Sequence, residues 1–411
     1  MLRRSGLVAL LAVVGPGVLA GLSDDDAPGI TTYSILGADY GYRLLWILLL
    51  STVALVLFHE LGARMGVVTG QGLAGLIRER YGVRWAALGV ASLLVANVGT
   101  TCAEFAGVAA SGDLAGVTRY LSVPAAAIGV SALVLRGTFH RIEHVFLLAS
   151  TIFATYIASG LIAGPHWSQV GRGLAVPDLP LTRGALLAAT ATVGTTLAPW
   201  GLAFIQSYAV DKRLTPADLR YERIDVVTGA VMTGVIGLFI VVACAETLYP
   251  AGISIHDAGD AARALRPLAG NLSSTLFGAG LLGASLLAAS ILPLSTAYSV
   301  SEALGREAAL DDSPREAPVF YGTYALVVVA AVAIVLVPGA PLVPILFLSQ
   351  ALNAVLLLPL VVFIYGISRD RELMGEHASG RLGSAASLAV IGLLALCVSA
   401  LGILSVLPLL T

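Results

Sequence analysis

An acidic interruption near the start of the chain constrains its fold more than any other feature. Positions 7–22 hold apolar and small residues, segment 23–29 reads Ser-Asp-Asp-Asp-Ala-Pro-Gly, and hydrophobic sequence resumes at Ile30. Ionisable groups at membrane depth are costly and usually face a watery cavity on an ion or substrate path. Pro28 and Gly29 interrupt a helix and free backbone carbonyls for a ligand. The interruption therefore predicts a cation site inside a membrane.

Composition indicates a membrane protein along the whole chain. Hydrophobic residues make up 57% of the 411 residues and charged residues 12%, about half the charged fraction of a soluble protein. Several apolar stretches reach the roughly 20 residues that cross a bilayer as a helix. We predict a polytopic all-α membrane protein in a lipid bilayer. The net charge of −2 argues against a nucleic-acid partner.

The first apolar run has two interpretations, a cleaved signal peptide or an uncleaved first span. No small-residue cleavage site follows it, so we favour the span. In total we predict eleven transmembrane helices. Their ranges are 5–22 with 30–40 (span 1), 44–66 (span 2), 84–111 (span 3), 121–136 (span 4), 143–163 (span 5), 183–210 (span 6), 225–248 (span 7), 271–302 (span 8), 318–337 (span 9), 341–367 (span 10) and 384–408 (span 11). Segment 71–81 is predicted to be a short amphipathic helix at the surface.

Positive charge predicts the orientation of these spans. Cytoplasmic segments carry an excess of Lys and Arg. With the N-terminus inside, 17 of the 23 Lys and Arg residues lie in inner segments and 6 in outer ones. We therefore predict a cytoplasmic N-terminus in a multi-pass protein of the inner (plasma) membrane.

Two of the eleven spans are interrupted, and they stand five spans apart. Span 1 breaks at 23–29 and span 6 around 194–199. Broken helices in corresponding positions of two five-helix halves are typical of inverted-repeat transporters, whose site lies at mid-membrane between the breaks. We predict a single transmembrane domain over 1–411. It comprises a first repeat at 5–163, a second repeat at 183–367 and an extra helix at 384–408.

The acidic triplet Asp24, Asp25 and Asp26 also has a structural interpretation. If span 1 ended at Leu22, the three carboxylates would form a solvated loop without a function. Only about 16 apolar residues precede them, which is short for a crossing. The apolar segment 30–46 would then also have to occupy a separate position in the membrane. The intramembrane site is the preferred interpretation.

Polar residues recur on single faces of three apolar spans. Asn97, Thr101 and Glu104 share one face of span 3 because they are spaced i, i+4 and i+7. Such stripes either line a water path or hydrogen-bond neighbouring helices. For the lone carboxylate of Glu104 we favour a place on a water path. For the Ser, Thr and Asn residues of these stripes we favour hydrogen bonding between helices. Similar stripes are Ser295, Ser299 and Glu302 in span 8, and Ser349, Gln350 and Asn353 in span 10.

Short motifs along the chain add a family resemblance. They read Gly15-Pro16-Gly17, Gly37-Ala38-Asp39-Tyr40-Gly41-Tyr42, Leu44-Leu45-Trp46, Ala63-Arg64-Met65-Gly66, Thr69-Gly70, Ala103-Glu104, Trp167 and Ser349-Gln350. Together with the acidic break, they resemble the Nramp family of divalent-metal transporters over most of the chain. The resemblance implies a LeuT-type fold and the import of divalent metals, often with protons.

The resemblance also assigns roles to individual residues. It aligns Asp26 with the family's metal-binding Asp, and Thr195 with the residue whose carbonyl binds the ion. The family's Asn ligand is replaced by Gly29 and its Met ligand by Ala198. Other aligned positions are Trp200 for a family His, Thr101 for a family Asp, Glu104 for a family Glu, and Gln350 for a Gln that contacts metal in some states. The loss of the His and Asp leaves proton coupling without support.

The ligand types predict which cation is transported. Thioethers select softer metals, whereas carboxylate, carbonyl and water suit Mg²⁺, Ca²⁺ and Mn²⁺. The sequence therefore predicts a transporter for hard cations such as Mn²⁺ or Mg²⁺, with no cofactor. A monomer is compatible with the sequence. Candidate metal ligands are Ser23, Asp24, Asp25, Asp26, Thr195 and Gln350, and transport-path candidates are Thr101, Glu104, Ala198, Trp200 and Asn353.

Two other functions stay open at this stage. A symporter of the same fold for a small organic cation would use the acidic site, with Trp200 supplying a cation–π face. A sensor or membrane enzyme is disfavoured, because the sequence shows neither a soluble domain nor a nucleophile–base pairing. We therefore predict that the protein is not an enzyme.

Overall fold

The computed structural model describes residues 25–135, 154–306 and 313–410, and these parts are helical, without strands. Ser23, Asp24, the first half of span 1 and the first part of span 5 lie outside the described residues. Within them, eight helices are long and apolar enough to cross a membrane. The all-α membrane fold is thereby confirmed.

The helices follow the predicted spans closely. Their bounds are Ala27–Tyr40 in span 1, Leu45–Thr69 in span 2, Val83–Leu114 in span 3, Arg119–Leu135 in span 4, Ala154–Ile162 in span 5, Arg183–Thr196 and Pro199–Asp211 in span 6, Leu219–Thr247 in span 7, Ser273–Ala303 in span 8, Pro318–Val335 in span 9, Leu342–Ser368 in span 10 and Arg381–Leu410 in span 11. Leu73–Tyr81 forms the predicted short helix, here called the connector helix.

Burial shows which helices form the centre of the bundle. In span 6, 94% of the most apolar 18-residue window is buried, against 17% in span 11. Span 11 therefore lies at the edge of the bundle, with most of its apolar side chains at least partly exposed. Span 6 is enclosed because the helices of spans 1, 2, 10 and 11 pack around its first half.

Two glycines allow the broken helices to approach their neighbours. A Cβ built at Gly107 of span 3 would lie 2.4 Å from both the Ala27 Cβ and the Ser285 Oγ. At Gly194 of span 6 a Cβ would lie 2.0 Å from the Gln350 carbonyl oxygen. No larger residue fits at either point. The first break is therefore pressed against spans 3 and 8, and the second against span 10.

The connector helix is less exposed than predicted. Leu73, Leu76 and Ile77 are buried in the main core, while Glu79 and Arg80 face outward. The helix is amphipathic, as the sequence indicates, but its apolar face contacts spans 3, 8 and 10. It is a part of the bundle and covers one end of it.

A cavity of about 840 Å³ opens where the helix of span 1 ends at Tyr40. Arg43 donates two hydrogen bonds to Asp178 there, of 2.7 and 2.9 Å. This pairing lowers the pKa of the Asp178 carboxyl and raises the pKa of the Arg43 guanidinium. The pair joins the start of span 2 to the segment that leads into span 6.

Candidate cation site at the two helix breaks

The first break places a carboxylate on the N-terminus of a helix. Asp26 is the N-cap of Ala27–Tyr40, and its Oδ1 accepts a hydrogen bond of 2.7 Å from the Gly29 N–H. Pro28 lies within the first turn, where a missing N–H is tolerated. The positive end of the helix dipole stabilises the Asp26 charge. Asp26 is only 3% exposed, so this carboxylate is held rigidly inside the protein.

Asp25 has no such partners. Its side chain is fully buried, and neither carboxylate oxygen has a hydrogen-bond partner. A buried charge without a partner is costly, and such a group binds a proton or a cation instead. Among the described residues of the first break, Asp25 therefore has both carboxylate oxygens free to bind a ligand.

Glu104 of span 3 completes an acidic group at the first break. Its Oε2 accepts a 3.4 Å hydrogen bond from the Ala27 N–H, and its carboxyl group interacts directly with that of Asp26. The other oxygen, Oε1, is buried without a partner. Two carboxyl groups in contact must share a proton or a cation. The sequence predicted this face of span 3 from its i, i+4, i+7 spacing.

The second break exposes backbone oxygens. The first half of span 6 ends at Thr196, Leu197 and Ala198 are not helical, and Pro199 starts the second half. The Thr195 carbonyl would bond the N–H of residue 199 in a continuous helix, but proline has none. Among the described residues, no backbone N–H bonds the carbonyls of Gly194, Thr195 or Thr196. These oxygens lie at the negative end of the helix dipole.

Polar contacts hold the two breaks in one assembly. The Tyr33 hydroxyl lies 2.9 Å from the Thr196 Oγ1, which links the helix after the first break to the end of the helix before the second. From span 8, the Ser295 Oγ donates a 3.1 Å hydrogen bond to the Trp200 carbonyl. Tyr33 follows Asp26 by seven residues, which places both on one helix face. Tyr33 is not among the predicted site residues, although this spacing could have identified it.

Gln350 belongs to a polar network between spans 3 and 10. Its Nε2 donates to the Ser349 Oγ at 2.9 Å, and its Oε1 accepts from the Asn353 Nδ2 at 3.0 Å. Asn353 also bonds the Thr100 Oγ1, at 2.9 Å. Asn353 thus has the structural role that the sequence favoured for amide members of the stripes. Gln350 must exchange these bonds to bind an ion.

Comparison with known proteins identifies the family. A family model described as natural resistance-associated macrophage protein-like, Nramp, matches residues 17–404. The chain belongs to the Nramp family.

Individual relatives are divalent metal cation transporters named MntH. The one from Burkholderia ambifaria is 32% identical over 294 residues, which cover 68% of this chain and 66% of the relative. This match therefore spans just under two thirds of the relative's length. The one from Yersinia pestis is 28% identical over 405 residues and 93% of both chains.

Solved structures show the same fold. A manganese transporter from Eremococcus coleocola superposes with a TM-score of 0.79 at 19% identity, over 98% of this chain and 89% of that one. MhsT, solved in complex with L-phenylalanine, superposes with a TM-score of 0.58 at 13% identity, over 97% and 98%. The LeuT-type fold predicted for this Nramp protein is confirmed.

The structure brings some predicted site residues together and leaves others apart. Asp25, Asp26 and Glu104 surround the first break, and Thr195, Ala198 and Trp200 form the second. Thr101 is buried one helical turn from Glu104, and its hydroxyl has no partner. Ser23 and Asp24 lie outside the described residues.

The described side chains do not by themselves form a metal cage. Among the described residues, no group of three or more His, Cys, Asp and Glu could hold a metal ion. Hard cations accept backbone carbonyls, amides and water as ligands alongside carboxylates. The bare carbonyls of the second break are such ligands. Both breaks together therefore offer the ligand types that a hard cation accepts.

Proposed function

We propose that this Nramp protein transports divalent metal cations by alternating access, with the ion bound between the two helix breaks. The proposal rests on the fully buried Asp25 carboxylate. Neither of its oxygens has a hydrogen-bond partner, and it lies next to the Asp26–Glu104 pair. The MntH relatives are divalent metal cation transporters, which supports this cargo. Their transport role also supports a protein that is not an enzyme.

Each break has a separate role in this proposal. Asp26 uses Oδ1 to cap its helix, and its second oxygen binds the ion together with Asp25. Thr195 supplies its carbonyl oxygen from the opposite side. Asp24 and Ser23 extend the acidic segment, and Gln350 joins the site after releasing Asn353.

The cargo is a hard cation such as Mn²⁺ or Mg²⁺. The proposed ligands are all oxygen atoms, and Ala198 stands at the break without a thioether. Oxygen ligands favour Mg²⁺ and Mn²⁺ over soft metals. The excess of Lys and Arg in the predicted inner loops supports a cytoplasmic N-terminus in the plasma membrane. Import as the direction of transport is what the resemblance to the Nramp family implies.

A flux assay tests the proposal. The protein in proteoliposomes should accumulate Mn²⁺ and Mg²⁺ more than Cd²⁺, and Asp26→Ala should reduce uptake to the level of empty vesicles. Asp39→Asn, an exposed carboxylate on the same helix, serves as the matched control. Uptake by Asp26→Ala at the rate of the control variant would rule out the proposed site. Measuring each ion with and without a pH gradient determines proton coupling, and spermidine uptake tests the organic-cation alternative.

A further inference from the structure

A second candidate site lies at one end of the bundle, away from the helix breaks. A groove of about 500 Å³ opens where the connector helix ends and span 10 ends. We call it the interfacial groove. It is lined by Arg80, Tyr81, Tyr365, Gly366, Arg369 and Asp370.

Two guanidinium groups are fixed on the walls of the interfacial groove. Arg80 pairs with Asp370 through Nε at 2.5 Å and with Glu372 through Nη1 at 4.0 Å, which leaves its Nη2 without an ion pair among the described residues. Arg369 donates from Nη1 to the Tyr365 hydroxyl and lies 5.1 Å above that ring. A guanidinium has five N–H donors, so both retain donors for an anion. Fixed arginines are the preferred protein partners of phosphate groups.

Aromatic rings form the boundary between the groove and the membrane surface of the bundle. Tyr81 and Trp85 pack against Phe363 of span 10, with ring centroids 5.5 and 6.1 Å away. A Cβ at Gly366 would lie 2.1 Å from the Tyr81 hydroxyl, so this glycine makes room for it. Tyr and Trp concentrate at the depth of lipid headgroups. The groove therefore lies at headgroup depth.

Exposed apolar side chains continue from the groove into the lipid region. Val83 is 66% exposed and Trp85 53% at the start of span 3, and Val362 is 46% exposed on the facing part of span 10. Val362, Gly366 and Arg369 are spaced i, i+4 and i+7, so Val362 continues the groove face of span 10. A free inorganic anion would not contact these apolar side chains, whereas the acyl chain of a lipid would.

We propose that the interfacial groove binds an anionic phospholipid, with its phosphate between Arg80 and Arg369 and an acyl chain along Val83, Trp85 and Val362. Basic pockets between membrane helices on the cytoplasmic side are suited to such headgroups. The predicted orientation places both arginines on the cytoplasmic side, where anionic lipids supply the ligand. The site is independent of the proposed cation transport, because no residue of the helix breaks takes part.

Native mass spectrometry of the purified protein tests the site. With phosphatidylglycerol and phosphatidylcholine offered together, the protein should retain phosphatidylglycerol preferentially. Arg369→Gln should weaken this retention about tenfold, the effect of losing one charge-assisted hydrogen bond. Arg80→Gln together with Arg369→Gln should abolish the preference. Since Arg80 also pairs with Asp370, the single Arg369 variant keeps the test valid if the double variant unfolds.

Arg43→Gln is the matched control. Arg43 is 49% exposed, close to the 47% of Arg80, and also pairs with an aspartate, but it lies at the other cavity. It should leave lipid retention unchanged. An equal loss of phosphatidylglycerol retention in the Arg43 and Arg369 variants would overturn the proposal. Equal retention of phosphatidylglycerol and phosphatidylcholine by the unmodified protein would also overturn it. Displacement of the lipid by an equal concentration of inorganic phosphate would also contradict it.

Discussion

The two helix breaks differ in what they offer to an ion. The first begins a helix, so its free groups are N–H donors, and these fix the Asp26 carboxylate. The second ends a helix, so its free groups are the carbonyls of Gly194, Thr195 and Thr196. One break therefore contributes formal charge and the other neutral dipoles. A side-chain substitution can remove the charge of the first break. The carbonyl oxygens of the second break become unavailable only when the backbone conformation or its hydrogen bonding changes.

The largest expected effect comes from removing charge at the first break while keeping its structure. Asp26→Asn retains an N-cap side chain, because Asn caps helices as well as Asp. We expect Mn²⁺ affinity to fall by about 100-fold or more, the upper range for disrupting a metal site. Asp25→Asn should have a comparable effect, although Asp25 caps nothing. Isothermal titration in detergent measures both.

Asp39→Asn provides the control for these two variants. It removes the same charge from an exposed position on the same helix. Its Mn²⁺ affinity should equal that of the unmodified protein. If Asp26→Asn also retained full affinity, the first break would be a cap without a binding role.

The next largest effect should come from adding a sulfur ligand to the second break. Ala198→Met should place a thioether where the chain now has a methyl group, at the N-cap of Pro199–Asp211. Because thioethers favour softer metals, we expect the Cd²⁺ to Mn²⁺ uptake ratio to rise about tenfold, equivalent to about 1.4 kcal/mol. Competition between the two ions in proteoliposomes measures this ratio. An unchanged ratio would mean that Ala198 does not face the ion.

A smaller effect follows from restoring a backbone donor at the second break. Pro199→Ala supplies the N–H that the Thr195 carbonyl lacks, which allows the helix to continue. A new hydrogen bond of about 1 kcal/mol would compete with the ion for that oxygen. Mn²⁺ affinity should fall about fivefold, as measured by titration. Pro318→Ala alters a proline at the start of an intact helix and should leave affinity unchanged.

The helix after the second break is also tied to span 8 and to the residues just before the connector helix. Ser207 donates a 2.7 Å hydrogen bond to Glu302 of span 8, and the Gln206 Nε2 donates to the Gln71 carbonyl at 2.9 Å. The Glu302 carboxylate occupies the space beside Gly72, where a Cβ would lie 1.9 Å from its Oε1. We call these contacts the connector latch. They close one end of the bundle.

The smallest effect comes from opening the connector latch. Gly72→Ala is tolerated by the backbone, whose φ is −76°, but it displaces the Glu302 carboxylate. Displacing the carboxylate weakens the Ser207 hydrogen bond without removing it, so the transport rate should rise about threefold with little change in affinity. Gly75→Ala, whose nearest contact is an ordinary 3.5 Å, is the control. Equal rates in the two variants would show that the latch does not limit transport.

Hydropathy and break residues predicted the helices, because a bilayer requires about 20 apolar residues per crossing and Pro interrupts the backbone ladder. The i, i+7 spacing within span 3 likewise predicted Glu104. Pairing across helices was not predictable. That Asp26 caps while Asp25 stays free, and that Tyr33 reaches Thr196, depend on how helices pack. The hydrogen bonds that the Gln350 amide forms with Ser349 and Asn353 likewise depend on helix packing and could not be predicted.

The central claim is that both breaks hold one ion, and anomalous X-ray scattering at the manganese edge tests it most directly. In crystals grown with Mn²⁺, the account predicts one peak inside the bundle. It should lie about 2.0–2.6 Å from a carboxylate oxygen of Asp25 or Asp26 and from the Thr195 carbonyl oxygen, the range of hard-cation contacts with oxygen. A peak bound to only one break, or to neither, would contradict the account.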